Sequence, residues 1–561
     1  MTGAPLKRLA GLLALAAVPT AVLAVFFLLP VWGMLQRGLW SEGSFDPGAL
    51  LDVLAQERTR DVIWFTLWTS TVSTVVAVVM GLPAAYVLHR LAIPMRSAVR
   101  AALLVPFVLP TVVVGIAVRE LVSESGPLGF LHLDGTPVAI LIGLVFFNVA
   151  VVIRTVGTAW ESLDRRPAEA AAALGASPLH VLTTVTLPAL RPAIVSAAAV
   201  VFLFCATGFG VVLMLGGTRY ASVETEIYLL TTGAITGTVE YQAAAALSLV
   251  QLAAVVVLLA VAARLRAVPD PTVRRAKAAP ARPQRHDLPA VVATGLVLLA
   301  IATPVVTLVV GSLRRDGAWT LVHYRALRGS GEDVGASGME GGLLRVPVTE
   351  ALANSLRIAV DATWMSLLLG LLVAFVVTRK TRSRTEASVR NAFDGLFMLP
   401  LGVSAVTLGF GFLITLDDPP LDLRSSALLV PIAQALVALP LVVRVLVPVL
   451  QGIDDRQRQA AASLGAGPLR ALLTVDVPVL WRPLLAAAGF AFAVSLGEFG
   501  ATSFIVRAQV PTLPVVIYRL IGSPGELNYG TAMAASVVLA AATALVILLV
   551  ERLRVPGVGV I

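Results

Sequence analysis

Apolar stretches long enough to cross a bilayer recur along this chain, separated by short polar loops. A membrane-spanning helix needs about 20 such residues, and the pattern predicts twelve. They lie near 9–35, 62–88, 102–121, 137–156 and 193–215, in a sixth run ending at Arg264, and near 289–311, 355–378, 394–416, 427–450, 484–506 and 530–550. The first follows Lys7 and Arg8 and stays apolar past Ala24, which favours a retained span over a cleaved leader.

Two polar islands interrupt the pattern. Residues 161–190 read ESLDRRPAEAAAALGASPLHVLTTVTLPAL, and residues 451–480 read QGIDDRQRQAAASLGAGPLRALLTVDVPVL. Aligned without gaps at an offset of 290, about half the positions are identical, with Asp164/Asp454, Gly175/Gly465, Pro178/Pro468 and Pro188/Pro478 among them. A repeat that keeps glycine and proline in register is structural. Asp164 can cap a helix, Pro167 suits its first turn, and Ala-rich residues propagate it to a stop at Gly175. Ser177 and Pro178 restart a second helix that Pro188 is expected to end. The second copy follows the same plan through Asp454, Gly465, Pro468 and Pro478.

The rest of the chain follows the offset. Arg154 and Arg444 each lie seven residues before an island, and Tyr228 and Tyr518 share the spacing. The fold expected is an all-α membrane protein with about twelve transmembrane helices in two parallel-oriented six-helix repeats. The expected divisions are 1–60 (first helix and outer loop), 61–266 (first island-containing transmembrane domain), 267–288 (cytoplasmic linker), 289–352 (seventh helix and large outer loop) and 353–554 (second island-containing transmembrane domain). Linker residues 267–288 are Pro-, Ala- and Arg-rich, and a solvated hinge is expected there ahead of a site for anionic lipid headgroups.

Composition sharpens the class. With 58% hydrophobic and 13% charged residues, a soluble globular chain is excluded. The net charge of +9 does not point to nucleic acid, because Arg and Lys concentrate in alternate loops: 89–100, 165–166, 264–285 and 379–384. That is the positive-inside pattern, and it places both islands and both termini on the cytoplasmic side of the membrane. The single cysteine, Cys205, rules out a disulfide framework and reads as a buried small hydrophobe.

The spacing Glu169-Ala170-Ala171, Gly175, Pro188 resembles the EAA loop of ABC-importer permeases. The second copy reads Gln459-Ala460-Ala461, Gly465, Pro478, with Gln459 where that family usually carries Glu. The resemblance implies a coupling helix docked on each of two cytoplasmic ATPase subunits, a solute delivered by an extracytoplasmic binding protein, and alternating access. A doubled chain with GGTRY…EIY resembles thiamine and ferric-iron importer permeases, and GEFGAT also resembles molybdate and sulfate permeases. ATP and Mg would act on the partner subunits, with no cofactor and no metal on this chain.

No phosphate-binding loop can be drawn, since the three lysines, Lys7, Lys277 and Lys380, lack the required preceding glycine. A proton-coupled transporter would place more ionisable residues inside the membrane. A membrane transferase would need a clustered acid/base or metal site, and Asp417-Asp418 before two prolines reads as an outer turn. An exporter of the ABC class would carry longer intracellular helices. Within the membrane the ionisable residue of interest is Glu498, flanked by Gly497 and Gly500, with Gly208 at its offset position. Glu498, Phe499, Gly500, Gly208, Phe209, Gly210, Tyr228 and Tyr518 are the expected residues of a translocation path, with helix packing the competing role for Glu498. Core packing also competes for the phenylalanines. Arg219, Glu224 and Glu226 are outer-loop charges, set either to meet a partner or solute or to be solvated.

Overall fold

The computed structural model describes residues 3–41, 44–103, 106, 109–234, 237–265, 280–329, 346–378, 384–398, 403–416, 423 and 425–552. Among them, ten helices are long and apolar enough to cross a membrane. Two β-hairpins of two-residue strands aside, the described architecture is helical.

The 290-residue repeat is a repeat of structure. The helix Glu57–Arg90 packs on Pro137–Ser162, and Pro178–Ala206 packs on both. The same arrangement joins Val348–Thr378, Leu429–Gln451 and Leu472–Leu496. The correspondence holds to the residue for Leu187–Ala206 with Val477–Leu496, and for Val223–Thr232 with Leu513–Gly522.

The leading helix of each half lies against the other half. Residues Leu13–Leu39 pack on Val348–Thr378 and Ala405–Thr415, while Arg285–Ser312 packs on Glu57–Arg90 and Thr111–Val122. The short helices after the fifth and eleventh spans also cross over: Val223–Thr232 meets Ala405–Thr415, and Leu513–Gly522 meets Thr111–Val122. The halves are therefore interlocked rather than placed side by side.

The third and ninth predicted spans are not single long helices. Thr111–Val122 starts only after Pro110, whose backbone is extended (φ −55°, ψ 137°), and Ala405–Thr415 starts at Ser404, whose hydroxyl accepts from Thr407 N at 3.0 Å. The stretches 104–105, 107–108 and 399–402 lie outside the described residues, as do Asp417-Asp418. Glu120 sits on Thr111–Val122 and accepts a hydrogen bond from Tyr529 Oη at 3.0 Å.

Pro188 and Pro478 do not end a helix. Each lies two residues beyond a π-helical turn, Leu182–Thr186 and Leu472–Asp476, inside a continuous span. Pro30 stands in the same relation to Ala24–Leu28. Proline has no N–H and its ring clashes with the carbonyl four residues back. A widened turn just before it accommodates both defects, so the helix continues.

The linker is anchored where it is described. Ala281 N donates to Arg90 O at 2.9 Å, Ala92 N donates to Ala281 O at 2.7 Å, and Tyr86 Oη donates to buried Asp287 at 2.7 Å. Residues 280–287 are thus tied to the end of Glu57–Arg90 instead of forming a free hinge. Residues 266–279 lie outside the described part.

Candidate functional site

The islands fold as two copies of one device. In the first, Asp164 Oδ1 accepts from Arg166 N at 3.0 Å, the helix Arg166–Ala173 follows, and Gly175 turns the chain with φ +88°. In the second, Asp454 Oδ1 accepts from Arg456 N at 2.9 Å, Asp455–Ser463 follows, and Gly465 has φ +83°. Only glycine holds that backbone without strain. Ser177 then starts the next turn by accepting from His180 N.

The exposure of the two copies also matches. Glu169 and Ala170 are exposed with Ala171 half-buried, and Gln459, Ala460 and Ala461 repeat this pattern. Pro188 and Pro478 are exposed as well. At the tips, Leu174 and Leu464 are 90% and 88% exposed, where a leucine contributes nothing to this chain's own packing. One difference separates the copies: Arg458 Nε donates to Asp476 Oδ1 at 2.9 Å, and the corresponding positions of the first island are Ala168 and Thr186.

Behind the islands, the halves enclose a cavity of about 360 Å³. Its wall combines Phe204 and Phe209 of the first half with Phe490 and Phe499 of the second. Its ionisable lining residues are Glu224, Glu498 and Arg444. Phe209 and Phe499 stack at 5.3 Å between ring centroids, and Tyr228 and Tyr518 meet behind them at 6.3 Å with their hydroxyls hydrogen-bonded. Phe209 touches Tyr228, and Phe499 touches Tyr518, at 5.4 and 5.5 Å. Each pair contains its own 290-offset equivalent, so a pseudo-two-fold axis passes between them.

Glu498 occupies a break. The helix ends at Leu496, and Glu498 Oε1 accepts from Ala501 N at 2.7 Å while Oε2 accepts from Thr502 N at 3.0 Å and from the Thr502 hydroxyl. The carboxylate thus caps the short helix Thr502–Ile505 while also bordering the cavity. The glycines beside it permit close approach, since a Cβ on Gly497 would meet Pro110 at 3.0 Å and one on Gly500 would meet Ala405 at 2.9 Å. In the first half, Gly208 and Gly210 flank Phe209 and the helix resumes at once as Phe209–Gly216, so no acidic cap is needed.

Glu224 and Glu226 are not loop charges. Both lie on Val223–Thr232 and are 1% and 2% exposed. Glu226 forms a bidentate pair with Arg58, at 2.6 and 2.8 Å. Glu224 Oε1 accepts from Gln251 Nε2 at 2.6 Å, and the Ser404 hydroxyl also bonds the carboxylate. The charge pattern of residues 217–241 gave no sign of this burial, although apolar Ile227, Leu229 and Leu230 on the same helix carried a faint one. Arg219 lies over the Tyr220 ring at 5.2 Å.

Residues 77–275 and 366–555 each match the family described as binding-protein-dependent transport system inner membrane component. The chain belongs to that family. The two matches within this binding-protein-dependent permease correspond to the two structural repeats, and the chain is a multi-pass inner-membrane component of such a transport system, an ABC-importer permease. It is similar to the thiamine transport system permease protein ThiP of Brucella abortus, at 27% identity over 93% of each chain. It is similar at 27% identity to the protein of that name in Escherichia coli K12, over 82% of this chain and 83% of that one. A 33% identity to the molybdenum transport system permease protein ModB of Azotobacter vinelandii covers 29% of this chain and 74% of ModB.

Proposed function

We propose that this permease imports thiamine, received from an extracytoplasmic binding protein and driven by ATP hydrolysis on two copies of a separate ATPase subunit. The observation that carries the reading is the placement of an inter-half cavity, with the Phe209–Phe499 stack in its wall, between halves that each present an equivalent exposed island. The similarity to thiamine permeases over most of the chain supports thiamine as the solute.

In this reading Glu169, Ala170, Ala171, Gly175 and Pro188 form one ATPase-coupling element, and Gln459, Ala460, Ala461, Gly465 and Pro478 form the other. Leu174 and Leu464 supply apolar anchors at the tips. Both islands face the cytoplasm, as the positive loops require. Nucleotide-driven movement of the islands shifts a two-state packing equilibrium. Because Pro178–Ala206 and Leu472–Leu496 continue unbroken from the islands to the cavity wall, each movement is delivered to the path as a rigid element.

The path itself comprises the cavity, Glu498 and Gly500 at its wall, and the aromatic seal. Gly208 and Gly210 allow Phe209 to reach the axis, and Tyr228 and Tyr518 brace the two rings. Opening the seal exposes the cavity to the binding protein, and closing it leaves the cavity accessible from the islands' side. Glu498 holds the broken helix together, so its capping role and its place on the path are one property.

The test uses the permease co-expressed with its cognate ATPase in lipid nanodiscs, comparing wild type, Gly175→Asp, Gly465→Asp and the double variant. Loss of the ATPase subunits from a folded double variant is expected. Retention of the partner and of nucleotide-driven transport in every variant overturns the coupling assignment. Uptake of Fe(III) with none of thiamine, in the presence of the binding protein, overturns the choice of solute.

A further inference from the structure

The inter-half cavity is lined by two carboxylates, Glu224 and Glu498, and one guanidinium, Arg444, so its ionisable lining is more acidic than basic. Glu498 receives two backbone N–H groups and a hydroxyl, which spread its charge over a helix end. Glu226 has Arg58. Glu224 has only the Gln251 amide and the Ser404 hydroxyl, and among the described residues no cation is paired with it. It is 1% exposed and lines the cavity. An ionised carboxylate in such a place is costly unless a counter-charge arrives.

Gln251 is 93% buried, its Nε2 is committed to Glu224, and its Oε1 has no hydrogen-bond partner. Beside Glu224 there is thus an acceptor that lacks a donor. The neighbouring wall is aromatic, with Phe204, Phe209 and Phe499, and ring faces attract cations once water is excluded. The volume of about 360 Å³ falls in the range of roughly 300–1,000 Å³ typical of small-molecule sites.

We propose that Glu224 is the specificity-determining counter-charge of a subsite in this cavity for a monovalent heteroaromatic cation. The assignment rests on the thiamine reading and deepens it. The cation lies against the Phe209–Phe499 wall and its charge faces Glu224. The two halves contribute unequally, because the offset equivalent of Glu224 is Pro514 and that of Glu498 is Gly208. One solute therefore has one orientation in a pseudo-symmetric pore.

The experiment measures thiamine uptake into proteoliposomes by the permease–ATPase complex with its binding protein, for wild type, Glu224→Gln and Glu224→Asp. Glu224→Gln is expected to lower uptake at limiting thiamine by tenfold or more. Glu224→Asp keeps the charge but withdraws it by one methylene, and is expected to raise the apparent KM severalfold with kcat held. Should Glu224→Gln fail to co-purify with the ATPase, the KM of Glu224→Asp decides, and an unchanged KM overturns the subsite. Uptake that Glu224→Gln leaves within twofold of wild type overturns the subsite while the thiamine reading stands. No thiamine uptake by the wild type overturns both.

Discussion

Phe209 and Phe499, one from each half and 290 residues apart, lie face to face with ring centroids 5.3 Å apart and planes 16° from parallel. Both are buried, at 4% and 2% exposure, and both border the cavity. An aromatic pair of this kind contributes about 0.5–1.5 kcal/mol beyond its burial. Truncating one ring also leaves a void, which in well-packed cores costs about 3–5 kcal/mol for Phe→Ala.

Phe499→Ala is therefore expected to weaken the seal before it unfolds the chain. Proteoliposomes preloaded with thiamine should leak several times faster than wild type without ATP. Phe499→Leu, which keeps most of the volume, should leak less. Equal retention by wild type and Phe499→Ala would show that the stack does not close the path.

The Arg58–Glu226 pair fastens the helix Val223–Thr232 to the start of Glu57–Arg90. Removing one partner of a fully buried pair costs about 3–5 kcal/mol. Here the Arg58 side chain is 44% exposed, so water replaces part of the loss and about 2 kcal/mol is expected for Arg58→Ala. The detergent-solubilised variant should melt below wild type, and adding Glu226→Leu should recover part of the difference. A double variant that melts lower than Arg58→Ala contradicts this account.

Arg458 and Asp476 brace the second island internally, and the first island has no equivalent pair. Arg458→Ala should raise amide exchange across Asp455–Ser463 by about tenfold, roughly 1.4 kcal/mol, a modest value because Arg458 is partly exposed. Arg166–Ala173 should exchange unchanged. Uniform protection in both islands of the variant would assign the stiffness to packing alone.

Tyr86→Phe removes the hydroxyl that holds Asp287 and so loosens the described end of the linker. Tryptic cleavage after Arg285 should accelerate severalfold, because proteolysis follows the population of the open form. An unchanged rate would mean that the Ala281 backbone bonds suffice to hold the segment.

Much of this molecule was legible in local pattern. The 290-residue offset, the island helices, the positive φ at Gly175 and Gly465, and the lack of a phosphate loop all follow from residue type and spacing. Each is set by chemistry within a few residues: a cap, a turn, an apolar run.

What only the tertiary structure decided involves residues far apart in the chain. The leading helices lie on opposite halves, Glu224 and Glu226 are buried on a crossed-over helix, and the two offset aromatic pairs meet on one axis. Pro188 and Pro478 belong here as well: the proline rule is local, yet π-turns carry both spans through, within helices held by packing along their length. Hydropathy specifies that a segment is apolar, not which apolar segment it faces. That choice is made by shape and by buried polar groups such as Glu224 and Glu226, whose partners Gln251 and Arg58 the fold must bring to them.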